Sequence, residues 1–257
     1  MNQHKPVIFV SHAAVDAEIA NIFKKDVEQS FLGLCQLFVS SNLESLQGGR
    51  EWIQVIKEKL SNSVIFIGLL SPVALNRPWI YTEFGAGWIR GIPTISVCHS
   101  GLRKDQLPVP LSHFQGLDLV DEMHLEHLYG QISSAIGCQK PAKNYSADVE
   151  RYRAVTEVQR KERAVRQWFA RIQQWNPEFS TIFQGKEVEL LIPAEVDHAF
   201  RQFALDPESR SLIEFEAKGM AMGTRVGMQA SVWLAKQGNL FSELKRIVES
   251  GPANQVL

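Results

Sequence analysis

No apolar run in the sequence approaches the roughly 20 residues that a helical bilayer span requires, so no transmembrane helix is expected. Cysteine is scarce: Cys35, Cys98 and Cys138 are odd in number, far apart and without metal-ligand spacing. That argues against both a disulfide framework and a zinc site, and buried structural thiols are expected instead. No excess of one charge exists either, since 27 Lys and Arg face 28 Asp and Glu, leaving a net charge of -1. Such a balance gives no wholesale attraction to nucleic acid or membrane. Internal repeats and low-complexity tracts are also absent. The N-terminal "MNQHKPVIFVSHAAVD" reaches Ser11 and His12 after only four apolar residues, too short for a secretory h-region, so a cytoplasmic protein is expected.

What is present is ordinary globular material: 257 residues, 45% hydrophobic and 21% charged. The length exceeds the usual single domain, predicting one domain and a smaller second one. Over the first 137 residues, apolar strand-like runs alternate with helical patterns. "VIFVSH" is followed by a helix with Ile19, Ile22, Phe23, Val27 and Phe31 in register. "CQLFVSS" precedes "LQGGREWIQVIKEKL", a glycine turn and an amphipathic helix. "SVIFIGLLSP" is a buried strand closed by proline, and the helix "RPWIYTEFGAGW", the strand "IPTISVCHSG", a Pro-rich loop, a short "LDLV" and the helix "EMHLEHLYGQISSAIG" complete the series. Near-continuous apolar strands separated by helices predict a flavodoxin-like α/β sandwich around a parallel sheet.

In "RPWIYTEFGAGW", Pro78 suits the first helical position, and Ile80, Phe84, Gly87 and Trp88 form a stripe facing the sheet. Trp79 and Glu83 are i, i+4 neighbours at its margin. The helix leaves the carboxyl end of a strand, where open parallel sheets bind ligands, so Glu83 is a candidate site residue. Its alternative is a solvated glutamate paired with Arg77 or Arg90. "GAGWIRG" is no dinucleotide loop, because its glycines lie inside or at the end of a helix; close packing on the sheet is the better explanation. The loop "SSNLESLQGGREW" places Gly48 and Gly49 before a helix N-terminus that could meet an anion, although a plain connection accounts for them equally.

"VIFVSHAAVD", "LFVSSNLESLQGGREW", "VIFIGLLSP" and "RPWIYTEFGAGW", in that order and spacing, resemble a Toll/interleukin-1 receptor (TIR) domain over about residues 5–137. The helix after the third strand is similar to that of the family's NAD-hydrolase branch, where a tryptophan and a glutamate four residues apart carry the activity. Trp79 and Glu83 match that pair, whereas TIR adaptors generally lack the glutamate. The resemblance implies cleavage of the nicotinamide–ribose bond of NAD, by a hydrolase or a cyclase, with Glu83 catalytic and Trp79 against the nicotinamide. A single carboxylate suffices chemically. The ring is already cationic and leaves as a neutral pyridine, so no general acid is needed, and the carboxylate can stabilise the ribosyl cation. Ser11, His12, Ser41, Gly48 and Gly49 then wall the rest of the dinucleotide. NAD is substrate here, and neither cofactor nor metal is implied. Asp16 reads as the cap of the first helix.

The second half resembles no family. "CQKPAKNYSADVE" reads as a linker over residues 138–149, leaving 150–257 as a mostly helical domain with one strand at "EVELLIP". Its first helix carries Val155, Val158, Val165, Trp168, Ile172 and Trp175 on one stripe, and a basic face from Arg151 to Arg171 that is a solvated surface or a nucleic-acid contact. Asp206 and Pro207 are helix-start signals. Gly219, Gly223 and Gly227, every fourth residue, are expected on one helix face. TIR enzymes often join the catalytic domain to an assembly module. The expectation is therefore self-association through the TIR domain and residues 150–257, triggered by a nucleotide signal or partner protein, in prokaryotic antiphage or other immune defence. The alternative is a non-enzymatic TIR interaction module or an interferer with host TIR signalling.

Overall fold

A computed structural model describes residues 5–39, 49–222 and 229–249 of the chain. They fall into two compact units, Met1–Arg160 and Lys161–Leu257.

The first unit is a five-stranded sheet in the order β2-β1-β3-β4-β5, every neighbouring pair parallel. The strands are β1 (Val7–Ser11), β2 (Gln36–Val39), β3 (Ser63–Leu70), β4 (Thr94–Cys98) and β5 (Gln115–Asp118). Helices α1 (Ala17–Ser30), α2 (Gly49–Ser61), α3 (Pro78–Ile89) and α4 (Glu122–Ile136) connect or follow them. This is the flavodoxin-like sandwich predicted from the alternating periods. Side chains of the central strands alternate between two cores. Ile8, Val10, Ile65, Ile67 and Ile95 pack under α1 and α4, while Phe9, Phe66 and Leu70 pack under α2 and α3. Both faces are therefore covered, which is why the strands read as unbroken apolar runs. Helix α5 (Tyr145–Trp175) adds Tyr145, Val149 and Tyr152 to the first of these cores.

Helix α3 follows the expected stripe with one exception. Ile80, Phe84 and Gly87 are buried, but Trp88 is 69% exposed, so the stripe ends at Gly87. The glycines of this helix have separate causes. A Cβ on Gly87 would stand 3.0 Å from Thr94 Oγ1 and 3.2 Å from Phe66 Cβ, so the helix touches the sheet there through bare backbone. Gly91 instead takes the left-handed conformation, φ +67°, that terminates the helix, and Gly85 faces open space. Cys35 and Cys98 are buried as expected, whereas Cys138 is only half-buried, and all three thiols are free.

The second unit contains a three-stranded antiparallel sheet, ordered β6-β8-β7, of β6 (Val188–Pro193), β7 (Ile213–Met222) and β8 (Gln229–Gln237). Helices α6 (Ala194–Leu205), α7 (Pro207–Leu212) and α8 (Phe241–Glu249) and the second part of α5 share its core, in which Phe200 packs edge-on against Trp233. Asp206 caps α7 as expected, accepting from Ser209 N–H at 2.9 Å. The helix expected to carry the fourth-residue glycines is instead the strand pair β7 and β8: Gly219 lies in β7, paired with Val232, and Gly223 and Gly227 lie outside the described residues. A spacing of four also keeps residues on one face of a strand, and the β-branched and aromatic "ASVWLA" tips the choice toward strand. On α5 the apolar stripe holds at Val165 and Ile172 but not at Val158, which is 56% exposed. Its cations are largely neutralised. Arg151 bonds Asp26 and Asp148 at 2.8 and 2.7 Å, and Arg153, Arg160 and Arg166 pair with Glu150, Glu157 and Glu162.

Candidate active site

The strand order reverses between β1 and β3, and their carboxyl ends are where a doubly wound sheet opens a crevice. Ser11 is the last residue of β1 and lies in register with Gly68 of β3. Gly68 has no room for a side chain: a Cβ there would fall 2.3 Å from the ring of Phe84, one turn of α3 away from Ile80. Phe84 thus seats α3 directly on β3, and the residue before it, Glu83, is carried to the end of β1.

Glu83 is 2% exposed. It is neither solvated nor paired with the expected alternatives, since Arg90 is directed instead to the carbonyls of Leu60 and Ser63. Its two carboxylate oxygens accept from different elements: Oε1 from the Trp79 indole Nε1–H at 3.0 Å, and Oε2 from the Ser11 hydroxyl. Burial pushes the carboxyl up to about 7, against the pull of the two hydrogen bonds, which favour the ionised form. Trp79, 36% exposed, lies beside it with its ring partly open to solvent.

His12 is buried beyond Ser11, and desolvation holds it down to about 4, so it is uncharged at neutral pH. Asp16 stands at the N-cap position of α1 but makes no capping bond. Its carboxylate, 1% exposed, turns inward and accepts from the Ser71 hydroxyl at 2.6 Å. The capping expectation fails because a partner from the neighbouring β3–α3 connection outcompetes the helix N–H groups. Ser71 was not singled out from the sequence. It ends "VIFIGLLS" much as Ser11 ends "VIFVS", and that parallel was the available signal.

Ser41 and Gly48 lie outside the described residues, and Gly49 opens α2. The structure therefore brings together Ser11, Trp79 and Glu83, with His12 adjacent in the chain. Among the described residues, no cluster of three His, Cys, Asp or Glu side chains could hold a metal. None of the described helices is long and apolar enough to cross a membrane.

A parallel sheet in the order β2-β1-β3-β4-β5, covered by helices on both faces, defines the class as a flavodoxin-like α/β domain, with the buried carboxylate of Glu83 at its switch point. Residues 8–129 match the family model described as TIR domain, and this part of the chain is a TIR domain. No curated protein sequence matches the chain.

Proposed function

We propose that the TIR domain cleaves the nicotinamide–ribose bond of NAD, releasing nicotinamide with ADP-ribose or a cyclised product. The observation that carries this reading is Glu83, a desolvated carboxylate held by Ser11 and Trp79 at the ligand edge of the sheet. In a low-dielectric site, a fixed negative charge acts most strongly on a developing cation, and a ribosyl oxocarbenium ion is such a cation. The cationic substrate would in turn favour the ionised form of Glu83, whose carboxyl burial pushes up to about 7. The departing ring needs no proton, so the reaction asks for no second acid beside Glu83. Trp79, fixed by its N–H, offers the partly open indole as a wall for the nicotinamide, while Ser11 and His12 border the same edge.

Self-association of the TIR domain, with residues 150–257 assisting assembly or sensing a trigger, belongs to the same proposal. Trp88 and Ile89, 69% and 81% exposed at the end of α3, are large apolar side chains on the helix that bears Glu83, and they support it. An immune-effector role in the cytoplasm is the setting this chemistry suits.

The experiment is nicotinamide release from NAD by purified protein, with and without crowding agent to promote assembly, and product mass to separate hydrolysis from cyclisation. Glu83→Gln should lower release at least about a hundredfold, the scale of losing a principal electrostatic stabiliser. Equal release by wild type, Glu83→Gln and Glu83→Ala would overturn the assignment of Glu83, whereas no release from any of them, with crowding agent present, would favour a non-enzymatic interaction module.

A further inference from the structure

Four buried side chains at the β1/β3 edge form two hydrogen bonds that cross. Ser11, ending β1, donates to Glu83 of α3, the helix that follows β3. Ser71, immediately after β3, donates in the opposite sense to Asp16, in the turn that follows β1. Each strand thus ends near a serine whose hydroxyl is committed to a carboxylate from the other strand's connection. All four are buried: Ser11 and Ser71 are 0% exposed, Asp16 1% and Glu83 2%.

We propose that Asp16 and Ser71 are positioning residues for the Trp79–Glu83 pair. The inference rests on the reading of Glu83 as the catalytic group, but its structural half stands on the contacts alone. Asp16 fixes the hydroxyl of Ser71. That hydroxyl oxygen in turn accepts from the N–H of Ala74 at 3.3 Å, opening the tight turn Ala74–Asn76. Arg77 N–H closes the turn on the Ala74 carbonyl at 3.0 Å, and Ile80 N–H reaches Arg77 O at 3.1 Å as α3 begins. Tyr81 ties the helix back to the same turn through its hydroxyl on the Leu75 carbonyl at 2.9 Å. A continuous set of hydrogen bonds therefore runs from Asp16 to the first turn of α3, where Trp79 sits. The Ser11–Glu83 bond fixes the helix from the other side. With only one of the two crossed bonds, the connection between β3 and α3 could pivot about the Phe84–Gly68 contact; with both, it cannot. Asp16 acts through this hydrogen bond, so an uncharged acceptor of the same shape should replace it.

The test is the indole N–H resonance of Trp79 in two-dimensional NMR, assigned by its disappearance in Trp79→Phe. In the wild-type chain it should show the downfield position and slow exchange of an indole bonded to a carboxylate. Ser71→Ala and Asp16→Ala should move it toward the free-indole position and speed its hydrogen exchange about tenfold or more, while Asp16→Asn, which keeps an acceptor, should retain the wild-type signal. Folded Ser71→Ala protein with an unchanged Trp79 signal overturns the proposal. If the alanine variants fail to fold, Asp16→Asn decides: a retained signal supports the hydrogen-bond role, and a displaced one refutes it. Nicotinamide release adds a separate arm, in which Ser71→Ala should lower kcat about tenfold or more with little change in KM, the effect of a slight misplacement. Absence of release from every variant and from wild type would remove the enzyme reading yet leave the indole result standing.

Discussion

The Trp79 indole Nε1–H meets Glu83 Oε1 across one turn of α3 at 3.0 Å, so a partly exposed ring is anchored to a side chain that is itself 2% exposed. This bond and the one from Ser11 are all that the described side chains offer against the desolvation of the carboxyl. Trp79→Phe keeps most of the ring and deletes the donor. The Glu83 carboxyl should then titrate about one pH unit higher, the worth of one hydrogen bond to a charged group. Nicotinamide release should fall about tenfold, less than for Glu83→Gln. NMR of the labelled Glu83 side-chain carboxyl checks the first part, and an unmoved midpoint would show that the indole bond does not hold the ionised form.

Glu83 and His12 should leave opposite marks on stability. Glu83 has a folded value raised to about 7 from an ordinary 4.5, so its contribution is full below 4.5 and is lost as pH rises to 7. His12, lowered to about 4 from 6.5, contributes above 6.5 and loses it as pH falls toward 4. Each amounts to roughly 3 kcal/mol, and over pH 5–6 the two slopes oppose and nearly cancel. Urea unfolding of Glu83→Gln across that window should therefore reveal a stability that climbs with pH. His12→Asn should reveal one that declines. Parallel pH profiles for both variants and wild type would refute the buried-pair account.

The site was legible where local geometry suffices. Pro78 at the first helical position and the four-residue step from Trp79 to Glu83 placed both on one helix margin, and the alternation gave five parallel strands, the last read as "LDLV" but running from Gln115 to Asp118. The partnership of Ser11 with Glu83 was beyond reach, because it spans 72 residues and depends on the β1–β3 register, which periodicity does not encode. Burial of Glu83 was underestimated for the same reason: the end of β1 covers it. In the second unit, four-residue glycine spacing fits a helix face and a strand face alike, and only pairing with β8 resolves it. Trp88 was assigned inward by extending the stripe one residue too far, past the glycine where α3 meets the sheet.

Gly68→Ala tests the seating of α3. The added methyl would lie 2.3 Å from two ring atoms of Phe84, whose ring is itself held edge-on by Phe66 at 4.7 Å and tilted against Phe114 at 5.4 Å. With Phe66 and Phe114 flanking that ring, the added methyl pushes on the ring and, through it, on α3. Overpacking of this kind costs about 1–3 kcal/mol, so the denaturant midpoint should drop accordingly. Nicotinamide release should fall by more than stability alone explains, because Glu83 moves with the helix. Gly85→Ala, where the new methyl meets nothing within 4 Å, is the control and should be neutral or slightly stabilising.

Asn176 gives the second unit an independent prediction. Its side chain imitates a neighbouring strand: Oδ1 accepts from Leu191 N–H at 2.8 Å and Nδ2 donates to Leu191 O at 3.2 Å, on the side of β6 away from β8. Edge strands with unpaired backbone groups recruit other chains, and this residue occupies one such pair of groups. The opposite edge strand, β7, carries a different device, a bulge between Ala217 and Gly219 that displaces Lys218 from the ladder. Asn176→Ala uncovers the Leu191 backbone on β6, beside a leucine side chain that is 42% exposed. It should lower stability by about 1 kcal/mol and introduce concentration-dependent association, read by light scattering. Asn176→Asp, which still accepts the Leu191 N–H and adds a repelling charge at the edge, should lose part of the stability but remain dispersed. If Asn176→Ala and wild type scatter alike at every concentration, the side chain is not guarding that strand.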